Sequence, residues 1–194
     1  MARPKAFDRD EVLKAATGVF WAKGYEASST DDLLAAMGIS RQSLYDTYGG
    51  KRALYLEALA RYQADSLATR MATLNRPESP LAGVSDFLAS VAAESPELRA
   101  LGCMGVNAIC EFGQSDPDVS ASGSANAGLL QATLERVLQK AKAHGEVDPG
   151  LDERAAGRFL QTTLTGLKVY AKSGASPQAL REIADFAVQS LKPR

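Results

Sequence analysis

The chain has 194 residues, 45% of them hydrophobic and 23% charged, with 22 Lys+Arg against 23 Asp+Glu. That length holds one large or two small domains with a real buried core, and the composition is ordinary for a soluble globular protein. Charged residues follow Phe7 at once and no stretch approaches the ~18 apolar residues of a membrane span, so neither signal peptide nor membrane partner is expected and a cytoplasmic location is.

The first helix is predicted from Asp8, where Asp8-x-x-Glu11 has the form of a capping box. Leu13, Ala16, Val19 and Phe20 follow at helical spacing, up to the Lys23-Gly24 stop. A second helix starts near Ser29 or Thr30, carries Leu33, Leu34 and Met37, and ends at Gly38. Ser40 caps a third, Arg41 to Tyr48, closed by Gly49-Gly50. Two short helices joined by a tight turn form a helix-turn-helix. A fourth helix of some 25 residues runs from Lys51 with Leu56, Leu59, Ala60, Leu67, Met71 and Leu74 as its apolar stripe. N-R-P-E-S-P then marks a domain boundary. The organisation expected is a helix-turn-helix domain over 1–52, the fourth helix 51–75 as connector, and a second domain over 76–194.

Beyond the boundary, helical segments are predicted at 80–93, 97–113, 117–145, 151–173 and 177–191, separated by Pro- and Gly-containing breakers. The run S-A-S-G-S-A-N-A-G at 120–128 is weakly helical and reads as a loop or a frayed helix start. With no repeat and no convincing strand, the fold class is all-α, of about nine helices.

Arg41-Gln42-Ser43 occupy the first exposed turn of the third helix, where side chains can reach base edges: Arg pairs well with guanine and Gln with adenine. Tyr45 and Thr47 project farther along it. Lys51 and Arg52 open the fourth helix, where a cation opposes the helix dipole unless an anion such as phosphate sits there too. Arg3 and Lys5 lie on a short arm before the first helix, of the kind that enters a minor groove. Residues 1–75 carry 10 Lys+Arg against 9 Asp+Glu, and 76–194 carry 12 against 14. A nucleic-acid function therefore rests on where the charges lie, not on their sum.

Signatures of catalysis are missing. The one histidine, His144, precedes Gly145 at a helix end and cannot form an H-E-x-x-H site; no C-x-x-C or G-x-G-x-x-G occurs, and Gly50-Lys51 lacks the rest of a P-loop. Neither enzyme activity, cofactor nor metal is expected. Cys103 and Cys110 stand seven residues apart, ~10.5 Å along a shared helix, beyond the ~7 Å a disulfide spans unless Gly102, Gly105 or Gly113 breaks that helix. Two buried thiols are expected.

Two strings, A-A-T-G-V-F-W-A-K-G-Y-E-A-S-S and D-D-L-L-A-A-M-G-I-S-R-Q-S-L-Y-D-T-Y-G-G-K-R-A-L, resemble the DNA-binding domain of the tetracycline-repressor (TetR) family of bacterial regulators over residues 7–56. The resemblance implies phosphate contacts at Thr30, Tyr45 and Lys51, and base contacts at Arg41, Gln42, Ser43 and Thr47. Leu34, where many such proteins carry Ala, and Tyr48, where Phe is usual, depart from the pattern. The resemblance further implies a C-terminal helical domain for ligand binding and dimerisation. Phe87, Cys103, Asn107, Phe112, Phe159, Thr163 and Tyr170 offer the mixture of apolar walls and polar groups a pocket needs. Gly157 and Gly166, with the stripe Leu180, Ile183, Ala184, Ala187 and Leu191, are the candidate dimer face. The function expected is a homodimeric repressor, released from a palindromic DNA operator by a small-molecule effector. Alternatives are a thiol- or metal-responsive regulator using Cys103 and Cys110, and a helical small-molecule-binding protein without DNA binding.

Overall fold

Asp8 opens the first helix, α1 (Arg9–Lys23), by accepting from the amides of Asp10 at 2.8 Å and Glu11 at 3.3 Å. Ser29 and Asp32 cap α2 (Thr30–Met37) reciprocally, Asp32 N to Ser29 Oγ at 3.0 Å and Ser29 N to Asp32 Oδ2 at 3.1 Å, satisfying two otherwise unpaired donors. Ser40 caps α3 (Arg41–Tyr48), and α4 (Lys51–Asn75) follows the Gly49-Gly50 step. The computed structural model describes residues 7–76 and 78–193; the expected basic arm, Arg3 and Lys5, lies outside them.

The remaining helices are α5 (Pro80–Ala93), α6 (Pro96–Leu101), α7 (Met104–Phe112), α8 (Pro117–Ala143), α9 (Glu153–Lys172) and α10 (Pro177–Gln189). The described residues are thus all-helical, with ten helices rather than nine because the segment expected at 97–113 is divided. Gly102 takes φ +70°, a conformation other residues rarely adopt, and Cys103 is extended, so α6 ends and α7 starts afresh in a new direction. Residues 120–128 are not a loop: they lie inside α8. Asp116 caps its start, Pro117 fits the first turn, and packing on α4 and α7 overrides the weak local propensity.

Two hydrophobic clusters form. One joins Val12, Ala16 and Phe20 of α1 to Leu33, Leu44 and Tyr48, and to Leu54, Tyr55, Ala58 and Leu59 of α4; Met104 and Ala108 of α7 and Val119 of α8 complete it. The other unites Leu74 with α5, the later part of α8, α9 and α10. The α4 stripe therefore differs from the expected one. Ala60 is exposed and Leu56, Leu67 and Met71 are half-buried, because α4 changes neighbours along its length and its buried face rotates accordingly. Between the clusters its side chains are largely polar. The extra hydroxyl of Tyr48 has a partner, the Arg9 carbonyl at 3.2 Å, and Leu34 packs half-buried on the first cluster.

Candidate nucleic-acid interface and effector cavity

Leu44 and Tyr48 anchor α3 inward, which turns Arg41, Gln42, Tyr45 and Asp46 outward into solvent; Ser43 and Thr47 are half-buried at the edges of that face. Arg41 donates to Asp31 of α2 at 2.6 Å and Gln42 to Asp46 at 2.7 Å. A base would have to replace these partners. Exposed pairs of this kind hold only ~0–1 kcal/mol, so replacement is cheap. Thr30 is half-buried in the first turn of α2, and Tyr45 is 50% exposed.

The two cations at the start of α4 have different jobs. Lys51 Nζ sits 4.3 Å over the Tyr25 ring, an arrangement that steadies the ammonium without neutralising it. Arg52 instead bonds Asp116 at 2.9 Å and Asp118 at 2.8 Å. The anion that offsets the helix dipole there comes from α8, so the expected phosphate is not needed at Arg52.

Further bonds tie α7 to the helix-turn-helix. Glu111 accepts from the amides of Tyr25 at 2.9 Å and Glu26 at 2.7 Å, just beyond α1. Phe112 packs against Tyr25 and Tyr55, with ring centroids 5.6 and 5.5 Å away. At the other end of α7, Gly102 receives the indole N–H of Trp21 at 3.2 Å. Sequence patterning did not single out Glu111 for this, since its partners are backbone amides more than 80 residues away.

A cavity of about 120 Å³ lies among α4, α7, α8 and α9, bordered by Gln63 and Arg70, Cys103, Asn126, and Leu164 and Lys168. A broader groove of about 1060 Å³ on the α1 side shares Tyr62, Arg70 and Lys168 with it. Of the seven residues expected to line a pocket, only Cys103 borders this cavity. Phe87 is fully buried in the second cluster, Phe112 belongs to the aromatic group around Tyr25, and Phe159 and Tyr170 point to solvent on the outer face of α9, with Thr163 half-buried beside them. Asn107 bridges the Leu101 carbonyl and Lys172 instead. The polar wall comes chiefly from α4, whose 62, 63, 66, 67, 70 spacing was the signal available and passed over.

Cys103 is buried and Cys110 exposed, correcting the expectation of two buried thiols. Burial opposes the Cys103 thiolate, but the Arg70 guanidinium, the Val106 amide, the Tyr62 hydroxyl and the Gly105 amide outweigh it and lower the thiol's pKa. The matching phenol of Tyr62 is pushed up, by burial first and then by Cys103. No cluster of three or more metal-ligating side chains occurs among the described residues, which leaves the metal-responsive alternative without a ligand set inside one chain.

The dimer stripe also needs correction. Leu180, Ala184, Ala187 and Leu191 are buried within the chain's own second cluster, and Gly157 is buried beside Gln131. Ile183 and Gly166 do face outward. With them lie Phe159, Val169, Tyr170 and, above all, Phe186, which is 76% exposed. The outer apolar surface of α9 and α10 is therefore one register away from the stripe expected.

Residues 12–58 match the family model described as "Bacterial regulatory proteins, tetR family", and residues 81–187 match that of the "Tetracyclin repressor-like, C-terminal domain". The chain is 35% identical to the uncharacterized HTH-type transcriptional regulator YezE of Bacillus subtilis (strain 168), over 98% of this chain and all of that one. It is 30% identical to the HTH-type transcriptional repressor ComR of Escherichia coli (strain K12), over 94% and 88% of the two chains. A solved structure of a cysteine mutant of the TetR-family regulator CifR, complexed with a 26-base-pair double-strand operator DNA, superposes with a TM-score of 0.86 at 31% identity, covering 98% of this chain and all of that one. Two family models spanning both halves, and relatives aligned nearly end to end, place this chain in the tetR family of bacterial regulatory proteins.

Proposed function

We propose that the protein is a homodimeric repressor acting in the cytoplasm, with residues 1–52 as the DNA-binding unit, α4 as connector and residues 76–194 as the effector-binding and dimerisation unit. The observation that carries this is the outward first turn of α3, where Arg41 and Gln42 stand exposed while Leu44 and Tyr48 fix the helix from behind. Arg41, Gln42, Ser43 and Thr47 approach bases; Thr30, Tyr45 and Lys51 hold phosphates. Two copies paired through the outer face of α9 and α10 set their α3 helices about 34–36 Å apart, one turn of the duplex, on a palindromic operator.

The effector occupies the α4–α9 cavity, and α7 relays its presence to the α1–α2 loop through Glu111. An effector preferring the released conformer 100-fold supplies about 2.7 kcal/mol of coupling. The test is a mobility-shift titration with DNA upstream of the protein's own gene. Binding that saturates at two chains per site and weakens steeply with salt supports the proposal; salt-insensitive or absent binding overturns it.

A further inference from the structure

We propose that the cavity among α4, α7, α8 and α9 takes a small organic monocarboxylate with a compact apolar body, its carboxylate held by Arg70. This names the effector class for the regulator reading and rests on that reading only for the effect on DNA.

Charge selects the class. Among the described residues the cavity wall carries two cations, Arg70 of α4 and Lys168 of α9, and no carboxylate. Lys168 is bound to Glu94, which borders the outer groove rather than the cavity. Arg70 is half-buried, and among the described residues no carboxylate pairs with it; its contact with the Cys103 sulfur is long, at 3.9 Å. A partly desolvated guanidinium without a counter-ion is a standing cost that a bound anion removes. The planar fork also matches a carboxylate with two parallel hydrogen bonds. A dianion fits less well, because Lys168 is already neutralised and the second charge would find no partner.

The rest of the wall selects the body. Leu67, Val106, Leu130 and Leu164 supply apolar surface, and the volume of about 120 Å³ is of the order that admits a benzene-sized group. Arg70, Tyr62 and Lys168 border the broad groove as well as the cavity. The carboxylate therefore sits where the cavity meets open water, and the apolar end lies inside. Keeping part of its hydration lowers the cost of pairing the charge.

Occupancy has a short route to the helix-turn-helix. A carboxylate on Arg70 takes the guanidinium from the residue that heads α7, and farther along α7 Glu111 holds the amides of Tyr25 and Glu26. Tyr62, in the same wall, meets the Trp21 ring of α1 edge-on at 4.9 Å.

Benzoate and phenylacetate are the probes, with benzamide and phenylacetamide as neutral counterparts of the same shape and phthalate as the dianion. Each is titrated into the full-length protein at neutral pH by calorimetry. At least one acid should bind about tenfold or more tighter than its own amide and than phthalate, and Arg70→Gln should bring acid and amide to within about twofold. Arg76→Gln removes an exposed guanidinium paired with Asp86 and should leave the preference intact. Trp21 is the only tryptophan, and its emission should change as the acid binds. The wild-type comparison needs no variant; should Arg70→Gln fold poorly, Arg70→Lys keeps the charge without the fork and should retain only part of the preference. Amides that bind as tightly as the acids, no binding of either, or a preference that survives Arg70→Gln overturns the proposal. Operator affinity should fall about tenfold with the acid bound, and acids that bind through Arg70 yet leave the operator held as before overturn the effector role. Should the protein without ligand bind no operator, the repressor reading fails instead, and calorimetry decides this one.

Discussion

Glu111 accepts the amide hydrogen of Tyr25 at 2.9 Å, so a carboxylate of α7 stabilises the backbone where α1 gives way to the turn before α2. Its second oxygen takes the Glu26 amide at 2.7 Å. Among the described residues Glu111 is the α7 side chain that hydrogen-bonds backbone beside the DNA-reading unit, which makes this pair the relay to test. Glu111→Ala leaves two amides to water and is expected to cost about 1 kcal/mol, less than the ~1.5–3 kcal/mol of a shielded charge-assisted bond because the site is exposed. Hydrogen exchange at Tyr25 and Glu26 should quicken, and operator binding should persist while its response to the effector shrinks. An unchanged response in a well-folded Glu111→Ala protein would remove α7 from the relay.

Arg41 and Asp31 form a second pair with a consequence for DNA. Their 2.6 Å bond is exposed on both sides, and Asp31 also presents a negative charge beside the reading face. Asp31→Asn frees the guanidinium and lifts that repulsion, so operator affinity should rise, by up to about tenfold at low salt. Arg41→Ala should relax base preference at one operator position at a cost of about 1–3 kcal/mol. Lys51→Ala, by contrast, should weaken all DNA alike and reduce the salt slope by about 1. Binding to randomised operators at two salt concentrations separates these outcomes.

The first helix starts were legible because they are local: Asp8, Ser29 and Ser40 each accept from amides two or three residues ahead, as Asp116, Asp152 and Ser176, which the sequence pattern did not single out, do farther on. The outward turn of α3 was legible for the same reason. What could not be read locally was which partner each apolar face meets. In α10, Leu180, Ala184 and Ala187 bury against the chain's own core while Ile183 and Phe186 look away, and a helical period alone assigns no address to either set. The cavity was missed because aromatic residues such as Phe87 and Phe112 are what a core needs, whereas its wall at Gln63, Arg70 and Lys168 looked like ordinary surface. The division of the 97–113 segment turned on the backbone at Gly102, one of three glycines at which the sequence allowed a break without deciding among them.

Phe186 is the apolar side chain most out of place on an isolated chain, at 76% exposed, with Val169, Tyr170 and Ile183 also exposed on α9 and α10. If this face pairs two copies, Phe186→Asp puts a charge into the centre of a dry interface and should weaken the dimer by about 2 kcal/mol or more. Sedimentation should then show a shift toward monomer at micromolar concentration, with operator affinity falling alongside. Ala187→Asp is a contrasting control, because Ala187 is buried within one chain and its substitution should lower the melting temperature rather than the oligomeric state alone. A Phe186→Asp protein that remains dimeric would move the interface elsewhere.

Asp32 supplies a pH test of the helix-turn-helix itself. The hydrogen bond from Lys23 and those from the Ser29 hydroxyl and amide hold its carboxyl down to about 2, from an ordinary 3.8. A depressed carboxyl binds fewer protons folded than unfolded, so its contribution is complete above the unfolded value and disappears as pH falls through the folded one. The cap of α2 should therefore hold at pH 5 and loosen between 3.8 and about 2. Melting temperature should fall across that window in wild type, and less steeply in Asp32→Asn, which has no charge left to lose. Other carboxylates titrate in the same range, so the comparison between the two proteins carries the result. Equal slopes would mean that Lys23 and Ser29 do not hold Asp32 in solution as they do in the fold described.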